Sequence, residues 1–216
     1  MKTLLRRCAL LLGTSFIFAS CGDSAGPKPN PLEGTLSFDY TGTTRSGSYQ
    51  ARGELQVGST GEAAPGTYVG GVRDGSDLYL FAFEAGAAPR GNLMFFQVAG
   101  VSGTGTFSLD LIDGDAFGFI GFDLNPTTQE IADDEFVYLM TSGTIRVTEI
   151  TDRRVRGTFS GEAERIRDED IDSADRVTIR NGQFDAPLRN DLRGGVGGFS
   201  RSPLGGALLS RIRSAF

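Results

Sequence analysis

The feature of this chain that most restricts its fold is a series of short apolar segments, each closed by a cluster of turn-forming residues. The segments are rich in Val, Ile, Phe, Tyr and Thr, and Gly, Asp, Asn and Pro separate them at intervals typical of strands. They span residues 34–40, 46–57, 67–72, 77–84, 92–99, 105–109, 116–122, 136–150, 154–166 and 176–187. No part of this region shows the sustained 3.6-residue period of an amphipathic helix. The sequence therefore predicts an all-β fold, a single antiparallel sandwich or barrel of about 8–10 strands.

Alternation of residue type predicts which side chains share a face. In residues 155–164 the odd positions are apolar or small and the even positions are polar, so this strand has one dry face and one solvated face. In the last segment Val177 and Ile179 lie on one face, whereas Phe184 has the opposite parity. Asn181 and Gly182 stand between them, and we expect a β-bulge there that restores the register.

Two Asp-Gly sequences predict hairpin turns. They lie in residues 73–77 and 113–115, and Gly supplies the positive φ that a tight turn needs.

Three segments are apolar on both faces: residues 79–83, 93–96 and 136–140. Such strands need two dry environments. One interpretation is a central strand buried between a second sheet and a covering segment. A second is a barrel whose interior holds an apolar ligand, with Phe81, Phe83, Phe95 and Phe96 as the candidate pocket residues. A third is an exposed apolar patch that binds a partner.

The N-terminus is built like a secretion signal. Three basic residues within the first seven precede an apolar stretch at residues 10–18, and the small residues Ala19 and Ser20 lead into Cys21. The apolar run of about 12 residues is too short for a membrane-spanning helix, which needs about 20.

This arrangement resembles the lipobox of bacterial lipoproteins, in which two small residues precede the cysteine that takes a diacylglyceryl group. Phe18 stands where that family usually has an aliphatic residue. The resemblance implies a signal peptide at residues 1–20, lipidation of Cys21 and attachment to a membrane through that lipid. The alternative is an ordinary secretory signal that leaves Cys21 as a free thiol. In enteric bacteria an Asp directly after the cysteine favours the inner membrane; Gly22 occupies that place here, which favours the outer membrane.

Composition divides the rest of the chain into three parts. Residues 21–31 form a proline-containing lipidated tether, residues 32–188 the antiparallel β-domain, and residues 189–216 a Gly/Arg-rich tail that we expect to be partly disordered. Within the tail Leu204, Leu208, Ile212 and Phe216 recur every four residues, which is compatible with a short amphipathic C-terminal helix lying on anionic lipid or on the acidic body.

Charge and residue content exclude several functions. The net charge of −6 includes about +4 in the tail and about +3 in the signal segment, which leaves about −13 on residues 22–188 and argues against nucleic acid as a partner. The chain has no histidine, and Cys8 would leave with the signal peptide, so the usual transition-metal ligands and Ser–His or Cys–His catalysis are absent. We expect no cofactor and no enzymatic activity.

The densest carboxylate cluster raises the possibility of calcium. Asp168, Asp170 and Asp172 have the 1, 3, 5 spacing with which a calcium loop begins. However, Ser173 replaces the Gly of the sharp turn and Ile179 replaces the bidentate Glu. A solvated hairpin tip is the preferred interpretation, and the loop around Asp133, Asp134 and Glu135 is interpreted as a polar connection.

Gly-Thr-Phe and Asn-Gly-x-Phe patterns within residues 142–148, 154–161 and 177–185 are similar to the C-terminal hairpins of uncharacterised β-rich lipoproteins from diderm bacteria. The resemblance implies a fold and an envelope location but no activity. The first functional hypothesis is a non-enzymatic interaction or structural module. The second is a carrier of a small apolar ligand in a barrel interior, and a third is a hydrolase with two facing carboxylates.

Overall fold

The computed structural model describes residues 30–55, 66–86, 90–110, 113–125, 135–167 and 170–189, and in these ranges every regular element is a strand. The strands are β1 (Glu33–Gly42), β2 (Ser46–Glu54), β3 (Tyr68–Asp74), β4 (Asp77–Ala85), β5 (Gly91–Val98), β6 (Gly105–Asp110), β7 (Ala116–Leu124), β8 (Phe136–Ile150), β9 (Arg154–Arg167) and β10 (Asp170–Pro187). The all-β prediction is confirmed. The signal segment, Cys21 and the C-terminal helix expected within the tail lie outside the described residues.

The ten strands form one sheet that closes on itself in the order β1-β10-β9-β8-β6-β7-β5-β4-β3-β2. Neighbours are antiparallel except at two single bridges, Glu54 with Val69 between β2 and β3 and Leu109 with Ala116 between β6 and β7. The ring therefore closes at β2–β3 through one residue pair. The chain after β10 supports this seam, because the amide of Arg189 donates to the carbonyl oxygen of Gly71 on β3 at 2.8 Å.

Two local predictions are confirmed. At residues 73–77, Asp74 pairs with Asp77 across a turn in which Gly75 has a φ of 61°. In β10 the register with β9 shifts between Ile179 and Gly182, and Asn181 has a φ of 55°. The expected β-bulge is therefore present.

The predicted hairpin at residues 113–115 is wrong. β6 and β7 both pair antiparallel with β8, so they run parallel to each other. β6 lies opposite residues 142–147 of β8, and β7 lies opposite residues 136–139. An Asp-Gly pair favours a local reversal, but the fifteen-residue β8 offers a partner to both segments. Consequently β6 and β7 lie one after the other along β8, as two parts of a single interrupted strand.

Aromatic side chains from opposite walls meet inside the ring. The ring centroid of Phe96 on β5 lies 4.8 Å from that of Phe159 on β9, and Phe38 on β1 lies 5.6 Å from Phe159. Phe38 also stacks on Tyr49 at 4.8 Å. All four side chains are buried in the main hydrophobic cluster. The interior is therefore filled at this level.

Among the described residues, no helix has the length and apolar character required to cross a membrane.

Candidate functional site

A second apolar cluster lies on the outer face of the sheet. Direct cross-strand pairs join Gly70 of β3 to Phe81 of β4, Phe81 to Phe95 of β5, Phe95 to Phe119 of β7, and Phe119 to Leu139 of β8. We call these five positions the outer row. Phe95 and Phe119 stack with centroids 5.2 Å apart. The row is continuous across five strands because each of them has an apolar residue or glycine at an outward position.

The outer row is more deeply buried than a sheet face can be by itself. Phe119 and Leu139 are 0% exposed and Phe95 is 5% exposed. Every described member of this second cluster belongs to the sheet or to the ends of its strands. Cross-strand neighbours shield a side chain laterally and leave its upper surface open. Residues 93–96 and 137–140 are buried on both faces, as expected, whereas Tyr79, Phe81 and Phe136 in the predicted two-faced segments are only half-buried.

The four predicted pocket residues do not line one space. Phe81, Phe83 and Phe95 point to the outer face, whereas Phe96 belongs to the interior. The reason is the period of a strand: Phe95 and Phe96 are adjacent and therefore project to opposite faces. Phe81 pairs with Phe95 outside, and Leu80 pairs with Phe96 inside.

A polar cluster occupies one end of the ring, and we call it the far-end cluster: Thr44, which is exposed, and the buried residues Tyr138, Arg165 and Asp175. The Tyr138 hydroxyl donates to Asp175 Oδ1 at 3.0 Å, Arg165 Nη1 donates to Asp175 Oδ2 at 3.3 Å, and the Thr44 hydroxyl also donates to Oδ1. Arg165 and Asp175 are both buried. Asp175 is thus a buried carboxylate with three donors, the arrangement that compensates for its desolvation.

The far-end cluster is built for structure. Desolvation, with a contribution from Asp175, raises the pKa of Tyr138 to about 12, so this phenol stays protonated and donates at neutral pH. Arg165 Nε is buried and has no hydrogen-bond partner among the described residues. The Tyr138 hydroxyl is bonded to the Asp175 carboxylate, and that carboxylate is also bonded to the Arg165 guanidinium. Neither group in this arrangement is positioned as a base or a nucleophile.

An aromatic ring binds the far-end cluster to a second arginine. The guanidinium carbons of Arg45 and Arg165 both lie 4.1 Å from the centroid of Phe136. Arg45 Nη2 contacts Asp123 Oδ2 at 2.5 Å, so its charge is compensated as well. These contacts join β7, β8, β9 and the β1–β2 connection into one rigid end.

Sequence reasoning missed this cluster, although one signal was present. Residues 155–163 place their odd positions on the dry face, and the next odd position is Arg165. An arginine at an inward position of an amphipathic strand predicts a buried partner. Asp175 could not be singled out as that partner from its acidic neighbours.

The acidic segment agrees only in part with the solvated hairpin tip that the sequence suggested: residues 168–169 lie outside the described residues, Asp170 is exposed and Asp175 is buried. β10 already begins at Asp170, and a second register shift with β9 lies between Asp172 and Arg176. This irregularity accompanies the burial of Asp175 against Arg165. Asp175 is the one described acid of this segment that is buried, and its burial beside Arg165 replaces the expected exposure at that position.

The calcium candidates are only partly described. Asp168 lies outside the described residues, and Asp170 is exposed at the start of β10. Asp172 Oδ1 accepts a hydrogen bond from the Ala174 amide at 3.1 Å. Within the described ranges, no three acidic residues are grouped so that they could hold a metal ion. Glu135, expected in a polar connection, is buried, and its Oε1 accepts from the Asn125 amide at 2.6 Å.

The tether enters at the opposite end of the ring, which we call the tether end. Arg154 Nη1 and Nη2 donate to the carbonyl oxygens of Pro31 at 3.1 Å and Glu33 at 2.9 Å. At the same end Arg189 Nη1 donates to the carbonyl oxygen of Leu55 at 2.7 Å. β1 runs from the tether end to the far end, a distance of about 30 Å for ten residues.

A shallow cavity of about 220 Å³ lies at the β-bulge. Its lining includes Asp39, Gln50, Asn181 and Gln183, and Asn181 Nδ2 donates to Asp39 Oδ2 at 2.8 Å. This polar lining is unsuited to an apolar ligand.

The chain matches no known family model, and neither the curated proteins nor the solved structures contain a similar protein.

Proposed function

We propose that the protein is a non-enzymatic structural or interaction module of the bacterial cell envelope, held at the outer membrane by a lipid on Cys21. The fixed attachment of the tether at one end of the ring is the observation that carries this proposal. Residues 31 and 33 are bonded to Arg154, so the body begins immediately after the tether. The segment from Cys21 to Asn30 spans at most about 30 Å.

In this proposal the body has an orientation relative to the membrane. The tether end stands near the lipid surface, and the far-end cluster stands about 30 Å farther away. The rigid far end is therefore the part that a partner in the surrounding compartment can reach. The side chains of Arg165, Asp175 and Tyr138 are buried there, so they fix the shape of this end from within.

Packing of the interior favours a module over a carrier of apolar ligands. Phe96 and Phe159 come from opposite walls and are in contact, so a ligand would have to displace both rings. Each buried aromatic side chain contributes about 3–5 kcal/mol to stability by comparison with alanine. A ligand in the interior would have to replace those contacts.

Intact mass and detergent-phase partitioning of the protein made in a diderm host test the anchor. We expect a mature chain that begins at Cys21, carries diacylglycerol and enters the detergent phase. Cys21→Ser should abolish the lipid mass and the partitioning. Cys8→Ser is the matched control, because it removes the other cysteine and should leave both unchanged. An unmodified Cys21 thiol would overturn the proposal, and recovery with the inner membrane on a density gradient would overturn its outer-membrane part.

Extraction of the purified protein with organic solvent tests the carrier alternative. We expect no stoichiometric apolar compound in the extract, because the lipid on Cys21 is covalently bound and stays with the protein. The Cys21→Ser protein, which lacks that lipid, provides the sharper sample. A stoichiometric apolar compound recovered from the Cys21→Ser protein would show that the protein is a carrier and would overturn the module proposal.

A further inference from the structure

The outer row is buried more deeply than the described strands explain. Its central members are 0–5% exposed, yet the cluster around them consists of residues of the sheet and its strand ends. This burial calls for a covering segment from outside the described strands.

We infer that this segment is the C-terminal tail, residues 190–216, and that its residues 204–216 pack as a helix along the outer row. The exit point of the chain favours the tail. Leu188 bridges to Gly71 of β3, and the Arg189 amide is bonded to the same residue. Gly71 is next to Gly70, the first position of the outer row. The tail thus starts beside the face that needs a cover.

Length and apolar pattern agree with this assignment. Five adjacent strands span four intervals, about 19 Å in all. A helix formed by residues 204–216 is about 20 Å long. Leu204, Leu208, Ile212 and Phe216 form a stripe along one side of that helix. One apolar stripe can therefore reach every position of the row.

Charge gives the helix a direction. The row ends at Leu139, whose cross-strand partner on β9 is Glu164, and Glu162 points to the same outer face two residues earlier. The tail carries about +4, and Arg211 and Arg213 lie in its last turns. A helix that starts near β3 and ends near β9 brings these arginines towards the two glutamates. The opposite direction would place them near the aromatic residues of β3 and β4.

The chain has no tryptophan, so the fluorescence of a single introduced tryptophan reports on one position. Phe216→Trp in the otherwise intact protein places a single indole at the end of the stripe. We expect blue-shifted emission and weak quenching by acrylamide. A second change, Phe119→Ser, should shift the emission to the red and raise the quenching several-fold. Phe107→Ser on β6 is the matched control, because Phe107 packs against the interior cluster, and it should leave the emission unchanged.

Variants confined to the tail test the same contact without disturbing the sheet. Leu208→Asp with Ile212→Asp should increase the binding of a hydrophobic dye several-fold, whereas Ser210→Asp, off the stripe, should not. Red-shifted, freely quenched indole emission from the Phe216→Trp protein without further changes would overturn the inference. So would a chain truncated after Arg189 that stays monomeric and binds no more dye than the full chain. Dye binding or dimerisation of that truncated chain supports it, since either shows that removal of the tail exposes the face.

Discussion

Arg165 and Asp175 form an ion pair inside the far end of the ring, with Arg165 Nη1 3.3 Å from Asp175 Oδ2 and both side chains about 10% exposed or less. Burial removes both charges from water, and each then depends on the other. The register shift of β10 between Asp172 and Arg176 and the inward position of Arg165 on β9 bring them together. Tyr138 and Thr44 complete the carboxylate's hydrogen bonds.

Loss of the Asp175 charge should strongly destabilise the protein. Asp175→Asn keeps the size of the side chain but leaves the Arg165 guanidinium buried without a counterion. We expect the free energy of unfolding to fall by about 3–5 kcal/mol. Urea denaturation followed by circular dichroism measures this change.

Asp172→Asn is the control for this variant. Asp172 lies in the same acidic segment, where it accepts a hydrogen bond from the Ala174 amide, and its replacement should cost about 1 kcal/mol or less. Adding Arg165→Met to Asp175→Asn should restore part of the lost stability, because it removes the uncompensated charge. Equal stability of the Asp175 and Asp172 variants would contradict the role of the pair.

The strands could be predicted from the sequence because their signals are local. The alternation of residues 155–163 and the parity change around Asn181 depend on neighbours in the chain. The bulge could be predicted for the same reason. Apolar residues change from odd to even positions within β10, and an extra residue in that strand restores them to one face.

The pairing of distant groups could not be predicted in this way. The Asp-Gly turn at residues 113–115 was interpreted as a hairpin because nothing local reveals that β8 accepts both β6 and β7. Asp175 likewise stands among several acids, and only the fold selects it as the partner of Arg165. Adjacent positions of a strand project to opposite faces, so Phe95 and Phe96 could not line one pocket, but nothing local shows which of the two faces inward.

Stability should fall as the pH rises above about 10. Burial raises the pKa of Tyr68 and of Tyr138 to about 12, whereas an unfolded tyrosine titrates at about 10. Between these values the unfolded chain releases phenolic protons that the folded chain retains. The unfolded state then binds fewer protons, so the free energy of unfolding decreases with pH in this interval and is unaffected by these groups below it.

Parallel measurements of phenolate absorbance and circular dichroism test the alkaline transition. We expect ionisation of the buried tyrosines to coincide with loss of structure. Tyr138→Phe should flatten the pH dependence between about 10 and 12, because one of the shifted groups is gone. Normal titration of all tyrosines in a protein that remains folded would be the contrary result.

Arg154 should determine how tightly the tether is held. Arg154→Ala removes the donors to the carbonyl oxygens of Pro31 and Glu33, and we expect faster proteolysis of the tether and a loss of about 1–2 kcal/mol. Arg153→Ala is the matched control, because Arg153 is exposed. The hydrogen bond from its backbone amide to the Thr151 hydroxyl oxygen is retained in the alanine variant. Limited proteolysis followed by mass spectrometry locates the cut. Equal cleavage in both variants would show that Arg154 does not fix the tether.

Phe159 should be among the most sensitive positions of the interior. Phe159→Ala removes contacts with both Phe96 and Phe38 and should cost about 3–5 kcal/mol. Phe159→Leu preserves more of the volume and should cost less than about 2 kcal/mol. Denaturant titration ranks the two. A small effect of the alanine variant would indicate an interior that tolerates an empty space, contrary to the packing described.

The β-bulge allows a test of backbone conformation at a single residue. Asn181 has a φ of 55°, a region that asparagine and glycine enter readily and that β-branched residues avoid. Asn181→Val should therefore lower the free energy of unfolding by about 1–2 kcal/mol, with an added loss from the broken bond to Asp39. Asn181→Gly loses the same side-chain bond but keeps the backbone unstrained, so it should cost about 1 kcal/mol or less. Arg180→Val places the same side chain at the preceding exposed strand position and should change stability by about 0.5 kcal/mol at most. Equal losses for valine at positions 180 and 181 would mean that the positive φ is not a constraint of the fold, since only position 181 has it of the two.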